Sequence, residues 1–162
     1  MADSPTFTVM QTWAETLRPL MPVTVDPRSG ELVPVFYAHP GERWQGPDCV
    51  WFDRPIDAYN VGPMRSGRRR RMITSTFQVV IEVFLEGPSD PTSWWSLQHE
   101  CDLQAGLIRQ VIDEHIADEE HLACPDLIDV AQLVSSRADR GLTATGAGTR
   151  IVLDVQFDAR IL

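Results

Sequence analysis

The chain has 162 residues, 43% of them hydrophobic and 23% charged, with a formal charge of −9. That balance suits one globular domain whose core needs neither a disulfide framework nor a structural metal, and it excludes disordered and collagen-like classes. The negative charge disfavours nucleic-acid binding by the surface as a whole.

Ser4-Pro5 reads as a helix start, a hydroxyl cap followed by proline at the first helical position. Phe7, Met10, Trp13, Ala14 and Leu17 follow at helical spacing and define one apolar face, and Pro19 and Pro22 close the segment. Val23-Thr24-Val25 and Leu32–Tyr37 flank the turn-rich Asp26–Gly30, which predicts a hairpin with Pro34 on an edge or at a bulge. Residues 38–72 are an irregular, loop-rich excursion punctuated by proline and glycine, with short strand candidates at Cys49–Asp53 and Ile56–Val61. All 14 basic residues are arginine, and Arg65, Arg68, Arg69, Arg70 and Arg71 crowd the end of this stretch.

Ile73–Leu85 carries the clearest pattern. Ile73, Ser75, Phe77, Val79, Ile81, Val83 and Leu85 alternate with Thr74, Thr76, Gln78, Val80, Glu82 and Phe84, the period of a strand. At ~3.3 Å per residue it would run roughly 43 Å, the full width of a domain this size. Asp90-Pro91 then suits a helix start, and Trp94, Leu97, Cys101, Ala105, Ile108, Val111, Ile112 and His115 predict a helix from Pro91 to about Ala117. An acidic exit (Asp118, Glu119, Glu120), a strand over Leu127–Ser135, a flexible loop over Gly141–Gly148 and a last strand over Thr149–Ile161 complete the chain. The expected fold is a single α+β domain over 1–162: a mostly antiparallel twisted sheet with a short N-terminal helix and a long helix packed on one face.

Reactive constellations are weak. His99, Cys101, His115, His121 and Cys124 match no ordinary zinc spacing, and His115, late in its helix, suits a cation. Asp113, Glu114, Asp118, Glu119 and Glu120 read as a solvated helix end. Gly141–Gly148 contains neither a nucleophile elbow nor a phosphate loop. Cys49, Cys101 and Cys124 are expected as packed thiols. No catalytic residue, cofactor or metal is expected. The polar start Met1-Ala2-Asp3-Ser4 is unlike a signal peptide, and the longest aliphatic run, Val79-Val80-Ile81, is far short of the ~20 residues that cross a bilayer, so a soluble protein without membrane contact is expected.

The basic lead-in and long strand (Arg68 to Ile81), the helix opening with Trp94-Trp95, the acidic turn, the Gly/Thr loop and the terminal strand from Arg150 to Phe157 together resemble the tail-terminator and tail-completion proteins of siphophages. The resemblance covers the C-terminal ninety residues and the opening helix, and it is one of element order; residues 38–72 match no part of it. It implies a structural virion protein at the head–tail joint, made in the host cytoplasm. Such a protein forms a hexameric ring that caps the tail tube and meets the head connector or neck protein. DNA passes through without specific binding, and no catalytic residue carries over. A neck or head-completion protein is the near alternative.

Some residues suit such a ring subunit. Val80 and Phe84 put apolar groups on the nominally polar face of the long strand, to be covered by a neighbour or by the 38–72 excursion. Trp94 and Trp95 are ~100° apart on one helix, so both hardly face one core, and one is a candidate interface anchor. The long strands offer edges for pairing with a neighbour. Arg65 and Arg68–Arg71 are assigned to a ring face or subunit seam, since a channel that lets DNA slide favours an acidic or neutral lining. A solvated loop and a nucleic-acid contact, the latter making the chain an accessory DNA-binding protein, are the alternatives.

Overall fold

The computed structural model describes residues 5–26, 29–60, 72–87, 91–143 and 145–160. Its elements are helix α1 (Pro5–Leu17), strand β1 (Val35–Phe36), strand β2 (Asp48–Asn60), strand β3 (Met72–Glu86), helix α2 (Pro91–Asp118), strand β4 (Ile128–Thr143) and strand β5 (Gly146–Arg160). The strands form one mixed sheet in the order β1-β2-β3-β5-β4, antiparallel except for the β1–β2 pair. This is the α+β fold expected from the alternation of elements.

Both helices pack on the same face of the sheet. Val9, Trp13, Ala14 and Leu17 of α1 and Cys101, Ala105, Ile108 and Ile112 of α2 meet Phe52, Phe77, Val79, Ile81, Leu153, Val155 and Phe157 in one core. The apolar stripe of each helix and the odd-numbered residues of β3 and β5 supply it, because a strand sends alternate side chains to opposite faces. Trp13 is the centrepiece. Its ring stacks on Phe52 at 5.6 Å and meets Phe77 edge-on at 5.8 Å. Its Nε1–H donates to Nδ1 of His115 at 2.9 Å. That nitrogen accepts from Trp13, so His115 serves the core although it lies late in its helix, and its Nε2 stands 3.8 Å from Glu119.

Several expectations shift in detail. Phe7, assigned to the apolar face of α1, is exposed, and Val9 and Thr6 take the buried positions; Thr6 donates to Asp57 of β2. The predicted N-terminal hairpin is reduced to a Val23–Leu32 bridge and its flanking bonds, Thr24 N–H to Glu31 O at 2.8 Å and Val33 N–H to Pro22 O at 2.9 Å. Val35–Phe36 instead joins the main sheet, and Pro34 precedes an edge strand as its missing N–H requires. The two strand candidates at 49–53 and 56–61 are one strand, β2, interrupted by a bulge between Asp53 and Ile56 where Arg54 takes a φ of 47° ahead of Pro55; Val61 lies outside the described residues.

The largest change concerns Gly141–Gly148. Its described residues are not a flexible loop: β4 continues to Thr143, which pairs with Gly146 at the start of β5, and Ala144 lies outside the described residues. A Cβ at Gly146 would come within 2.1 Å of the Leu85 carbonyl oxygen, so this close approach of strands admits only glycine.

Candidate functional site

The sheet face away from the helices carries its own small cluster. Cys49, Trp51, Val80 and Val152 are buried there, with Phe36 and Trp44 packed against them. Val80, nominated as a contact to a neighbour, is only 1% exposed, because the chain's own 36–51 segment covers it. Burial, then the charges of Glu82 and Asp48, push the Cys49 thiol up to about 12, so it is an inert packed thiol as expected. Phe84 has a local explanation for most of its surface. Its ring lies over Gly148, where a Cβ would meet Phe84 Cδ2 at 3.3 Å, while 36% of the residue stays in solvent. His39 abuts Trp51 edge-on at 4.7 Å, and the Arg150 guanidinium sits 5.7 Å from the Trp51 ring centre. The indole nitrogens of Trp44 and Trp51 are buried and have no hydrogen-bond partner among the described residues.

The paired tryptophans of α2 separate as their angular offset requires. Trp94 is half-buried with an unpartnered indole nitrogen, and Trp95 is 80% exposed. The outward face of the same helix also exposes Leu103 and Leu107, which follow Trp95 and His99 at steps of four. Attention to the inward stripe hid these two leucines, although their spacing was the available signal. Arg65 and Arg68–Arg71 lie outside the described residues.

A polar network ties the inner side of α2 to the hairpin of β4 and β5. Gln98 donates to Thr149 Oγ1 at 2.8 Å, Thr149 donates to Asp102 at 2.7 Å, and Arg140 pairs with Asp102 at 2.8 Å. Burial raises the pKa of Asp102, but the bonds from Thr149 and Gln98 and the Arg140 charge outweigh it and hold the carboxyl below its ordinary value. A second carboxylate, the buried Asp48, accepts from Thr24, from Val25 N–H at 2.9 Å and from Gln104 at 2.9 Å. Each carboxylate is occupied by fixed donors and braces the fold; neither faces a cleft with a nucleophile.

An open pocket of about 300 Å³ lies beside the exit of α2, lined by Asp118, Glu119, Glu120, His121 and their neighbours. The chain turns there through left-handed residues Leu122 and Ala123, which plugs Leu122 into the core. The candidate zinc ligands do not converge: His99 and His121 are exposed, Cys101 donates to the Ala147 carbonyl at 3.3 Å, and His115 serves Trp13. Among the described residues no helix is long and apolar enough to cross a membrane. No protein-family model matches the chain, and no curated protein sequence matches it.

Proposed function

We propose that the chain is a structural virion subunit of the siphophage tail-terminator type, which closes into a ring, most simply a hexamer, at the junction of tail tube and head connector. The observation that carries this reading is the outward side of α2, where Trp95, Leu103 and Leu107 stand in solvent. Aromatic and aliphatic side chains so placed are the usual anchors of a subunit contact. In the ring the next subunit covers them. The action is geometric. Subunits associate weakly until the tube end holds the ring closed, and a closed ring leaves no surface for another layer of tube protein. DNA passes through without specific binding.

Mixing the purified chain with tail-tube protein tests this, read by sedimentation and negative-stain imaging. Ring-shaped caps and arrested tube growth are expected, and Trp95→Glu should leave the fold intact and abolish the caps. A chain that stays monomeric and ignores both tube and connector protein refutes the reading.

The five clustered arginines favour one rival, a nucleic-acid-binding accessory protein. Full engagement of duplex phosphates by all five would give a log–log salt slope of about −4.5. Salt-dependent DNA binding lost when four of them become glutamine, with assembly unharmed, would favour that rival. A neck or head-completion role is separated from the terminator role by gene position, which for a terminator lies beside the major tail protein.

A further inference from the structure

The sheet ends in two unlike edges. On one side stands β1, two residues long, and the strand behind it is broken by the Arg54–Pro55 bulge. On the other side β4 runs for 16 residues, and every described side chain from Val134 to Thr143 is exposed. The outer backbone of β4 is met at its start, where Ala131 N–H donates to Glu120 O at 2.6 Å. Among the described residues no strand pairs with the remainder. Natural sheets guard such an edge with charged side chains, lysine above all, with proline, a bulge or brevity; the charges on this one, Arg137, Asp139 and Arg140, are of both signs and so admit a complementary strand. The chain has no lysine, β4 has no proline, and its last bulge lies between Leu133 and Ser135. Beyond that bulge its ladder to β5 is regular as far as Thr143.

We propose that this edge receives a second copy of the chain, antiparallel, about a two-fold axis through Ala138 and perpendicular to the sheet. Such an axis keeps the helices of both copies on one side. Residues directly opposite one another must then share a face, so the pairing is centred on a residue and not between two. The charges of β4 choose the residue. Centred on Ala138, Arg137 of each copy stands opposite Asp139 of the other, and Ser136 stands opposite Arg140. Centred on Arg137, Asp139 or Arg140, the pairing sets that charge against itself, which is destabilising. Centred on Ser136 or Gly141, it forms no opposite-charge pair. Arg137 and Asp139 now touch each other at 3.4 Å within one chain, both well exposed, so exchanging that contact for two between copies costs little. The opposite edge of the sheet presents no regular strand of matching length, which leaves the same strand of another copy as the fitting partner.

A two-fold contact joins copies in pairs and does not by itself build a ring, which needs a head-to-tail contact. The inference therefore stands or falls apart from the terminator reading. Cys49, Cys101 and Cys124 are buried, so a cysteine added to β4 is a usable probe on the full chain. Ala138→Cys should give a disulfide-linked dimer on mild oxidation, because residue 138 opposes its own copy at about 5 Å. Ser136→Cys alone and Arg140→Cys alone should not, since each lies roughly 13 Å from its own copy. The two mixed together should cross-link. Asp139→Arg should weaken self-association about tenfold in a sedimentation concentration series. Adding Arg137→Asp to it should restore the association. Equal cross-linking at 136 and 138, undiminished pairing by the Asp139→Arg chain, or a folded monomer at every concentration would overturn the proposal.

Discussion

Trp13 and Trp51 lie on opposite faces of the same sheet, both almost inaccessible, and they differ in the fate of the indole N–H. On the helix-covered face Trp13 donates to His115, and the buried Asp48 takes bonds from Thr24, Val25 and Gln104. On the other face Trp51 and Trp44 keep buried indole nitrogens with no partner among the described residues. On the first face Trp13 and Asp48 are satisfied across long sequence separations, although Trp94 Nε1 and Gln98 Oε1 of α2 stay without a partner there. The second is roofed by a single segment of irregular chain, and its aromatic rings gain apolar burial without the hydrogen bonds that usually accompany it.

Matched substitutions test that contrast. Trp13→Phe and Trp51→Phe remove the same atoms from two sites of similar burial. Trp13→Phe also strands the His115 acceptor, which should add about 1–3 kcal/mol to its cost. Trp51→Phe deletes a donor that has no acceptor, so its cost should be confined to lost packing and the weakened contact with Arg150. Urea unfolding of the two variants measures the difference directly. Equal losses would mean that the two faces are alike in energy, whatever their hydrogen bonds.

The next largest effect concerns Asp102, where the helix-covered face reaches the exposed hairpin. Its carboxyl is held below the ordinary value near 3.9. A depressed folded pKa means that the unfolded chain takes up a proton first as pH falls. The stabilisation from Asp102 is therefore complete above about pH 4 and disappears as pH drops through the lowered folded value. Asp102→Asn should cost about 1 kcal/mol at pH 7, an amount discounted for the partial exposure of the side chain. The gap between the two proteins should close in acid. A gap that is constant from pH 7 to pH 3 would show that shape and not charge sets the role of this residue.

The elements that were plain in the sequence are those with one face wholly buried. Period-two alternation over Ile73–Leu85 and Thr149–Ala159 follows from a sheet whose inner side is core and whose outer side is mixed. The hairpin was hidden because Gly141, Thr143, Gly146 and Gly148 have the composition of a loop. Their ladder persists because β3 extends beside them to Glu86, with Phe84 filling the space over Gly148. The bulge at Arg54–Pro55 likewise disguised one strand as two. The network of Gln98, Asp102, Thr149 and Arg140 was out of reach for a different reason: Gln98 and Asp102 lie 51 and 47 residues from Thr149, and no local period encodes that meeting. One of Trp94 and Trp95 was legible as a surplus aromatic, and the cover over Val80 was legible only as one of two alternatives, since it comes from a segment with no regular pattern.

The smallest expected effect belongs to the third surface, the outward side of α2. Gly106 sits in the middle of this 28-residue helix between exposed Leu103 and Leu107. A Cβ built there meets nothing within 4 Å. Glycine in a helix interior costs roughly 0.5–1 kcal/mol relative to alanine, and nothing inside the subunit requires it. Gly106→Ala should therefore raise the unfolding free energy of the isolated chain by about that amount. If a neighbouring subunit packs closely on this surface, the added methyl group should weaken assembly while the subunit itself becomes more stable. Unfolding and assembly measured on the same preparation separate the two effects. A stabilised subunit that assembles as well as its parent would place the contact elsewhere on the molecule.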